Sequence, residues 1–195
     1  DYAVEPRELK TSEVYDIIDD FVRSAKIAIK AGFDGIELHG ANTYLLQQFF
    51  SPNSNQRDDE FGGSIEKRMK FGLTLVKRMI KLKKKYAKKE FIIGYRFSPE
   101  EIENPGITLK DTLEFVNELA SKDIDYLHVS LGNFKATSSR DKTDKELIVK
   151  KLQSVINYRV PLIGVGHLES LNDLEEAFGL GYDLLALGLI SLSDV

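Results

Sequence analysis

The amino-acid sequence predicts an α/β protein built around a parallel sheet. Segments with one apolar stripe alternate with short apolar segments in the order α-β-α-β-α-β-α-β-α-β. That alternation is typical of parallel strands joined by right-handed crossovers. The strand segments are almost continuously apolar, as expected when helices cover the sheet. With 195 residues, 42% of them hydrophobic, the chain is long enough for one sizeable core.

The five predicted helices combine an apolar stripe with recognisable ends. In the first helix, apolar residues recur at the i, i+3, i+4, i+7 spacing of one buried face. Thr11 or Ser12 is its expected N-cap, and Gly32 is its expected stop because glycine readily adopts the left-handed conformation. The other predicted helices cover residues 65–86, 109–120 with Thr108 as cap, 146–157, and 171–178 with Ser170 as cap.

The five predicted strands lie between these helices, at residues 34–38, 91–97, 125–130, 160–165 and 183–187. No low-complexity segment or linker interrupts the pattern, so we predict one domain over residues 1–195. Five such strands fit either an open doubly wound sheet or part of a (β/α)8 barrel. A complete barrel typically needs about 250 residues, which is more than this chain has.

Composition excludes several classes of function. The net charge of −4 gives no general attraction to nucleic acid or to an anionic membrane. Because there is no cysteine, disulfides and thiolate metal sites are excluded. No apolar run reaches the roughly 18 residues of a membrane span. Residues 1–10 are polar, unlike a signal peptide, so a cytoplasmic location is expected; the missing initiating methionine indicates a processed chain or an excised piece.

A cluster of polar residues follows the first strand. His39, Asn42 and Tyr44 are followed by a long loop rich in Asn, Asp, Ser and Gly. In parallel α/β folds the carboxyl ends of the strands form the edge where ligands bind, so these residues predict an active-site rim. Taken singly, a strand-end histidine or a loop aromatic is more often structural. A metal site is disfavoured, because no histidine or carboxylate stands at ligand spacing to His39 and Asn42.

The segment Gly164-Val165-Gly166-His167 also follows a strand and precedes a helix. A dinucleotide fingerprint would require glycine where Glu169 stands, so that interpretation is weak. We favour a phosphate site after the last two strands, made by backbone N–H groups of Gly166 and His167 and of Gly188 and Leu189.

A long motif gives a family resemblance. It consists of AGFDGIELHGANTYLLQQFF at 31–50 and NxRxDxFGGSxxxR at 55–68. Weaker matches follow at 95–98, 127–130, 161–168 and 183–188. Together they resemble the old yellow enzyme family of FMN-dependent NAD(P)H oxidoreductases. The resemblance implies a partial (β/α)8 TIM barrel holding strands four to eight, with the first three strands absent.

The resemblance also implies roles for individual residues. Tyr44 would be the catalytic proton donor to an activated alkene that receives hydride from reduced FMN, with NADH or NADPH as reductant. His39 and Asn42 would bind the substrate oxygen. Arg96 would lie beside the flavin ring, while Gly166, His167 and Gly188 would hold the phosphate. The family usually has arginine where this chain has Leu189, which removes one cation from that site.

Other features are interpreted as structural. Residues 55–68 are expected to brace a loop, the basic run 77–89 to form a solvated helix face, and His128 to be a satisfied core or wall residue. The expected partner is a small-molecule substrate, with no nucleic acid and no membrane. An incomplete barrel exposes the flanks of its terminal strands, so we expect either self-association into a homo-oligomer or a missing part of the chain.

Two alternatives to a flavin-dependent alkene reductase remain at this stage. The first is a family-derived domain that has lost its cofactor and serves as a scaffold or interaction module, motivated by the absent strands and Leu189. The second is an unrelated phosphate-binding barrel enzyme such as an aldolase. It fits less well, because no lysine lies inside a predicted strand to form a Schiff base.

Overall fold

A computed structural model describes residues 7–87 and 89–188 of the chain, and in those ranges five strands alternate with six helices. In chain order the elements are α1 (Thr11–Ala31), β1 (Gly35–Gly40), α2 (Leu45–Phe50), α3 (Ile65–Tyr86), β2 (Ile92–Phe97), α4 (Leu109–Ala120), β3 (Tyr126–Val129), α5 (Ile148–Ile156), β4 (Leu162–Gly164), α6 (Leu171–Leu180) and β5 (Leu184–Leu185). The predicted α/β class with five strands is confirmed.

All neighbouring strands are parallel, and their order in the sheet is β1-β2-β3-β4-β5. A doubly wound sheet reverses its strand order at a switch point, and this sheet has no such reversal among its described strands. Sequential order is what a barrel segment requires, so the topology decides between the two architectures that the strand count left open.

The two faces of the sheet differ in chemistry. Leu38, Tyr95, Leu127 and Leu162 lie in one register row across four strands and are 0–3% exposed. They belong to the core that the helices cover. Because successive side chains of a strand point to opposite faces, the neighbouring residues line the other face. There the register row is polar, and the pairing His39, Arg96, His128 crosses the first three strands.

Several predicted helix ends are confirmed. The Thr108 side chain accepts the Asp111 backbone N–H, and the Ser170 side chain accepts that of Asp173. Gly32 ends α1 in the left-handed conformation, with φ of 90°. These caps satisfy backbone groups that a helix terminus would otherwise leave unpaired.

Other predicted bounds were wrong. The N-cap of α1 is Lys10, not Thr11 or Ser12; Thr11 instead donates its hydroxyl to Asp59 at 2.6 Å. The helix predicted to begin at Glu146 begins two residues later, because the Glu146 N–H donates to the Asp144 carboxylate in a turn. A side chain that offers the backbone a local partner competes with the helix.

Helix α2 was not predicted at all. It spans six residues, LLQQFF, and four of them are buried. An element this short gives too few turns for its period to be recognised in the sequence. It matters for the site, because Tyr44 is its N-cap residue.

The helix surfaces carry paired charges. In the basic run 77–89, Lys83 lies 2.9 Å from Asp125 and Lys84 lies 2.9 Å from Asp123. Pairing of this kind is typical of a solvated helix face. Across residues 7–87 and 89–188, every helix is too short or too polar to cross a membrane.

Candidate active site

The predicted site residues come together at the carboxyl ends of β1, β2 and β3. His39, the last residue but one of β1, pairs with Arg96 of β2, and Arg96 in turn pairs with His128 of β3. Asn42 and Tyr44 follow β1 directly. The sheet therefore delivers side chains from three strands to one edge, where parallel α/β folds place their ligands.

The turn that presents Asn42 is strained. Asn42 and Thr43 both adopt left-handed backbone angles, with φ of 56° and 64°. Asparagine tolerates this region, but a β-branched residue does not. Several hydrogen bonds hold the turn, among them Asn42 N–H to Ser98 Oγ at 2.9 Å, Thr43 N–H to Gln47 Oε1 at 3.0 Å, and Gln48 Nε2 to the Thr43 carbonyl at 2.8 Å. Backbone strain that is held in place by surrounding contacts is common at functional sites.

Tyr44 and His39 face each other across this turn. Their ring centroids are 5.2 Å apart and tilted by 50°. Tyr44 is 62% exposed, and its hydroxyl has no hydrogen-bond partner in the described part of the chain. The phenol is therefore free to donate to a molecule that arrives from solvent.

The electrostatics of this edge keep His39 neutral. Partial burial lowers the pKa of His39, and the positive charge of Arg96 lowers it further, while Glu37 opposes the shift. With its pKa below the ordinary value of about 6.5, the imidazole is uncharged at pH 7. A neutral imidazole keeps one N–H donor and one acceptor nitrogen.

Arg96 is joined to Asn42 through Ser130. Arg96 Nη2 donates to Ser130 Oγ at 3.1 Å, and Ser130 Oγ donates to Asn42 Oδ1 at 3.0 Å. The Nε–H of Arg96 is buried and finds no acceptor within the described residues. A buried donor without a partner is costly, which indicates that Arg96 meets an acceptor other than the described residues. Sequence reasoning missed Ser130, because a serine at a strand end gives no signal of its own.

Glu37 lies two residues before His39 on the same face, where it contacts His128 of the His39–Arg96 row. Glu37 Oε2 is 2.9 Å from His128 Nδ1. Burial pushes the pKa of Glu37 up, but the hydrogen bond and charge of His128, a bond from Tyr126 and the charge of Arg96 together hold it below its usual range. His128 is 6% exposed and its Nε2 lacks a partner among the described residues. The expectation of a satisfied core histidine was therefore only half right.

Glu37 was also missed in the sequence. The available signal was a carboxylate inside an apolar strand, two residues before His39 and so on the same face. In the described ranges no three His, Asp or Glu side chains form a group that could hold a metal ion.

The predicted phosphate site lies at the ends of β4 and β5. Gly166 has φ of 120°, and a Cβ there would lie 2.4 Å from the Leu131 carbonyl oxygen, so only glycine fits. His167 is left-handed, and its side chain is 67% exposed beside Glu169, at 3.2 Å. Gly188 is the last described residue, and Leu189 lies outside the described residues. The assignment of these residues to a phosphate stays a prediction.

The rest of the motif forms what we call the 55–68 brace, defined by Asn55, Arg57, Asp59 and Arg68. Asn55 Nδ2 donates to the carbonyls of residues 49 and 61 at 2.6 and 2.7 Å. Arg57 pairs with Asp59 at 2.6 Å. Arg68 donates to the carbonyls of residues 50 and 63 at 2.9 and 2.7 Å. These contacts tie α2 and the following loop to α3, as a structural brace would.

Comparison with known proteins places the chain. Residues 1–194 match the family model described as the NADH:flavin oxidoreductase / NADH oxidase family. The chain is 44% identical over 191 residues to the NADH:acrylate oxidoreductase of Vibrio harveyi, covering 96% of this chain and 19% of that protein. It is 47% identical over 189 residues to the NADH:fumarate oxidoreductase of Klebsiella pneumoniae, covering 95% and 20% respectively. The chain thus spans about a fifth of the length of these two relatives.

A solved structure gives the same result. The chain superimposes on an old yellow enzyme homologue from Zymomonas mobilis with a TM-score of 0.75 and 25% identity, covering 96% of this chain and 52% of that one. The predicted partial barrel is confirmed by this likeness, as are FMN as the cofactor and NADH or NADPH as the reductant. The domain bounds, the roles of single residues and self-association stay predictions.

Proposed function

We propose that this chain, which belongs to the NADH:flavin oxidoreductase / NADH oxidase family, forms the site of an enzyme that uses NADH to reduce an activated alkene. The observation that carries the proposal is the meeting of His39, Asn42 and Tyr44 with Arg96 at one sheet edge. Two relatives are named for acrylate and fumarate. Both are alkenes conjugated to a carboxylate, so we propose an unsaturated carboxylate as the substrate class.

The residues at this edge fit a flavin. The buried Nε–H of Arg96 lacks an acceptor in the described chain, and the carbonyl-rich edge of a flavin ring offers one. The backbone at Gly166, at the ends of neighbouring strands of the same sheet, can come close to a phosphate because it has no Cβ. When bound, the reduced flavin supplies hydride to the β-carbon of the alkene. A cofactor-deficient scaffold predicts instead that the purified protein takes up no FMN.

His39 and Asn42 are the groups that bind and polarise the substrate. His39 is neutral and has one N–H to donate, and the Asn42 amide has two. An oxygen conjugated to the alkene gains negative charge as hydride arrives at the β-carbon. Donors fixed in advance around that oxygen stabilise the charge without reorganising, as in an oxyanion hole. Holding the oxygen also sets the orientation of the alkene.

Tyr44 is the proposed proton donor to the α-carbon. Tyr44 is 62% exposed and its ring lies 5.2 Å from that of His39, so we place its hydroxyl within reach of a substrate held by His39 and Asn42. A phenol stays protonated at pH 7 and can donate to a strongly basic carbanion. The overall reaction consumes one alkene, one NADH and one proton, and yields the saturated product and NAD⁺.

A Tyr44→Phe substitution tests the proposal, with Tyr158→Phe as the matched control. Tyr158 is 82% exposed and follows α5, away from the site. We expect Tyr44→Phe to lower the rate of acrylate reduction by about 10²- to 10⁴-fold, the usual contribution of a positioned acid. Bleaching of the flavin by NADH should stay within about twofold of wild type, because the phenol takes no part in that half-reaction.

The measurements are stopped-flow flavin absorbance, first with NADH and then with acrylate. Unchanged acrylate reduction in Tyr44→Phe would remove the phenol from the mechanism. A wild-type protein whose reduced flavin is not reoxidised by any unsaturated carboxylate would reject the proposed function as a whole.

A further inference from the structure

We propose that Ser130 is a positioning residue, which fixes the Asn42 side chain so that its NH₂ group faces the ligand. The inference rests on the proposed function, because it concerns the same substrate oxygen. The inference adds to the site a residue that directly follows β3. It also predicts that the site prefers ligands that present a hydrogen-bond acceptor.

The direction of the hydrogen bonds follows from Arg96. A guanidinium group can only donate, so in its 3.1 Å contact with Arg96 Nη2 the Ser130 oxygen must be the acceptor. The hydroxyl proton of Ser130 is then left to point elsewhere. The acceptor that it meets is Asn42 Oδ1, at 3.0 Å. The contact with Arg96 occupies one lone pair of the Ser130 oxygen, and the hydroxyl proton is used in the bond to Asn42 Oδ1.

The direction of these hydrogen bonds decides which end of the Asn42 amide is available. An asparagine amide can turn over and exchange its oxygen for its nitrogen unless its surroundings distinguish them. Here Oδ1 is engaged by Ser130, so Nδ2 with its two protons is the free end. The backbone cannot relieve this arrangement, because the Asn42 N–H is held by Ser98 Oγ at 2.9 Å.

Ser130 is itself held in place. Its backbone N–H donates to the carbonyl of Phe97 at 2.8 Å, directly after the last residue of β3. The hydroxyl is therefore delivered by the sheet and not by a mobile loop. Without the hydroxyl, the Asn42 amide could present either end, and the site would lose its preference for acceptors.

The experiment measures ligand binding to the oxidised holoprotein, with propanoate as the probe. Propanoate presents the carboxylate of acrylate but has no alkene, so the result does not depend on turnover. We expect Ser130→Ala to raise the dissociation constant of propanoate by about three- to tenfold, the usual worth of one hydrogen bond. Ser130→Thr keeps the hydroxyl and should restore binding to within about twofold of wild type.

A double-mutant cycle separates positioning from a merely structural role. In an Asn42→Ala background, Ser130→Ala should change the dissociation constant by less than about 1.5-fold, because the group that Ser130 orients is gone. Ser154→Ala, on the exposed surface of α5, is the control for loss of a serine hydroxyl elsewhere. It should leave both backgrounds unchanged.

Two results would overturn the inference. One is an unchanged dissociation constant in Ser130→Ala; the other is an equal loss in both backgrounds, which means that Ser130 acts on the fold and not on Asn42. Thermal unfolding of each variant identifies a folding defect, and in that event binding by Ser130→Thr decides. These outcomes leave the Tyr44→Phe result untouched, so a failure here and a failure of the proposed function are distinguishable.

Discussion

The 55–68 brace and the active-site edge, whose residues 39–44 belong to the same stretch of sequence, use their polar groups in opposite ways. In the brace, Asn55 and Arg68 each donate to two backbone carbonyls of this chain. At the edge, the hydroxyl of Tyr44 and the buried Nε–H of Arg96 have no partner among the described residues. A cluster of polar residues therefore does not by itself indicate a ligand site. Hydrogen-bond donors that have no partner in the folded protein do indicate one.

The backbone makes the same distinction. The brace turns at Gly63, where φ is 87° and glycine adopts this conformation at no steric cost. The edge turns at Asn42 and Thr43, where the same region of φ strains residues that carry a side chain. A segment whose task is to hold the fold uses the residue that suits the turn. A segment whose task is to present a side chain keeps that side chain and accepts the strain.

The largest effect on stability is expected for Arg68→Met, which tests the role of the brace in the fold. Arg68 is buried and donates to the carbonyls of Phe50 and Gly63. Its loss removes two charge-assisted hydrogen bonds and leaves the buried Phe50 carbonyl unpaired. We expect the free energy of unfolding to fall by about 3–5 kcal/mol, measured by urea unfolding. Arg23→Met is the control, because Arg23 is exposed and pairs with Asp20 on the surface of α1.

The same variant also tests whether the brace affects ligand binding. Where Arg68→Met still folds, its dissociation constant for propanoate should match wild type, since the brace does not touch the ligand. A small loss of stability together with a large loss of affinity would break the comparison and move Arg68 into the site.

A second, smaller effect is expected for Asp59→Asn. The Arg57 guanidinium holds the pKa of Asp59 well below its usual range; burial opposes this, and hydrogen bonds from Thr11 and the Phe61 N–H assist it. Because the folded pKa is depressed, the stabilisation is complete above the ordinary value of about 4 and is lost as the pH falls below it. At pH 7 we expect Asp59→Asn to cost about 1–3 kcal/mol.

Urea unfolding between pH 7 and pH 2 provides the check. Wild type should lose stability through the acid range more steeply than Asp59→Asn, so the two curves should converge at low pH. Parallel curves would mean that the carboxylate of Asp59 has no special place in the brace. Asp58→Asn, next to it in sequence, tests whether any loss of charge in this loop has the same effect.

Much of this contrast could be predicted from the sequence, and the reasons are physical. The alternation of helices and strands, the Thr108 and Ser170 caps and the placing of His39, Asn42 and Tyr44 at one edge follow from periodicity, capping preferences and parallel topology. What escaped prediction depends on contacts between distant segments. Ser130 belongs to the site because it contacts Asn42, 88 residues away. Thr11, which was predicted to cap a helix, instead donates to Asp59, 48 residues away.

The smallest expected effect is that of Thr43→Gly, and it sharpens the comparison by removing the strain from the edge. Replacing Thr43 by glycine removes the strain of a β-branched residue in the left-handed region, which stabilises the folded state by about 1 kcal/mol or more. Glycine also gives the unfolded chain more backbone entropy, which destabilises the folded state by about 0.5–1 kcal/mol. Stability should therefore change by less than about 1 kcal/mol. Thr137→Gly is the control: Thr137 is not among the left-handed residues of the described chain, so this variant should lose about 0.5–1 kcal/mol of stability with no relief of strain.

Acrylate turnover should fall by about three- to tenfold in Thr43→Gly, because Tyr44 then follows a looser turn. Turnover at the wild-type level, with stability raised by more than about 1 kcal/mol, would show that the strain at Thr43 serves no purpose in presenting Tyr44.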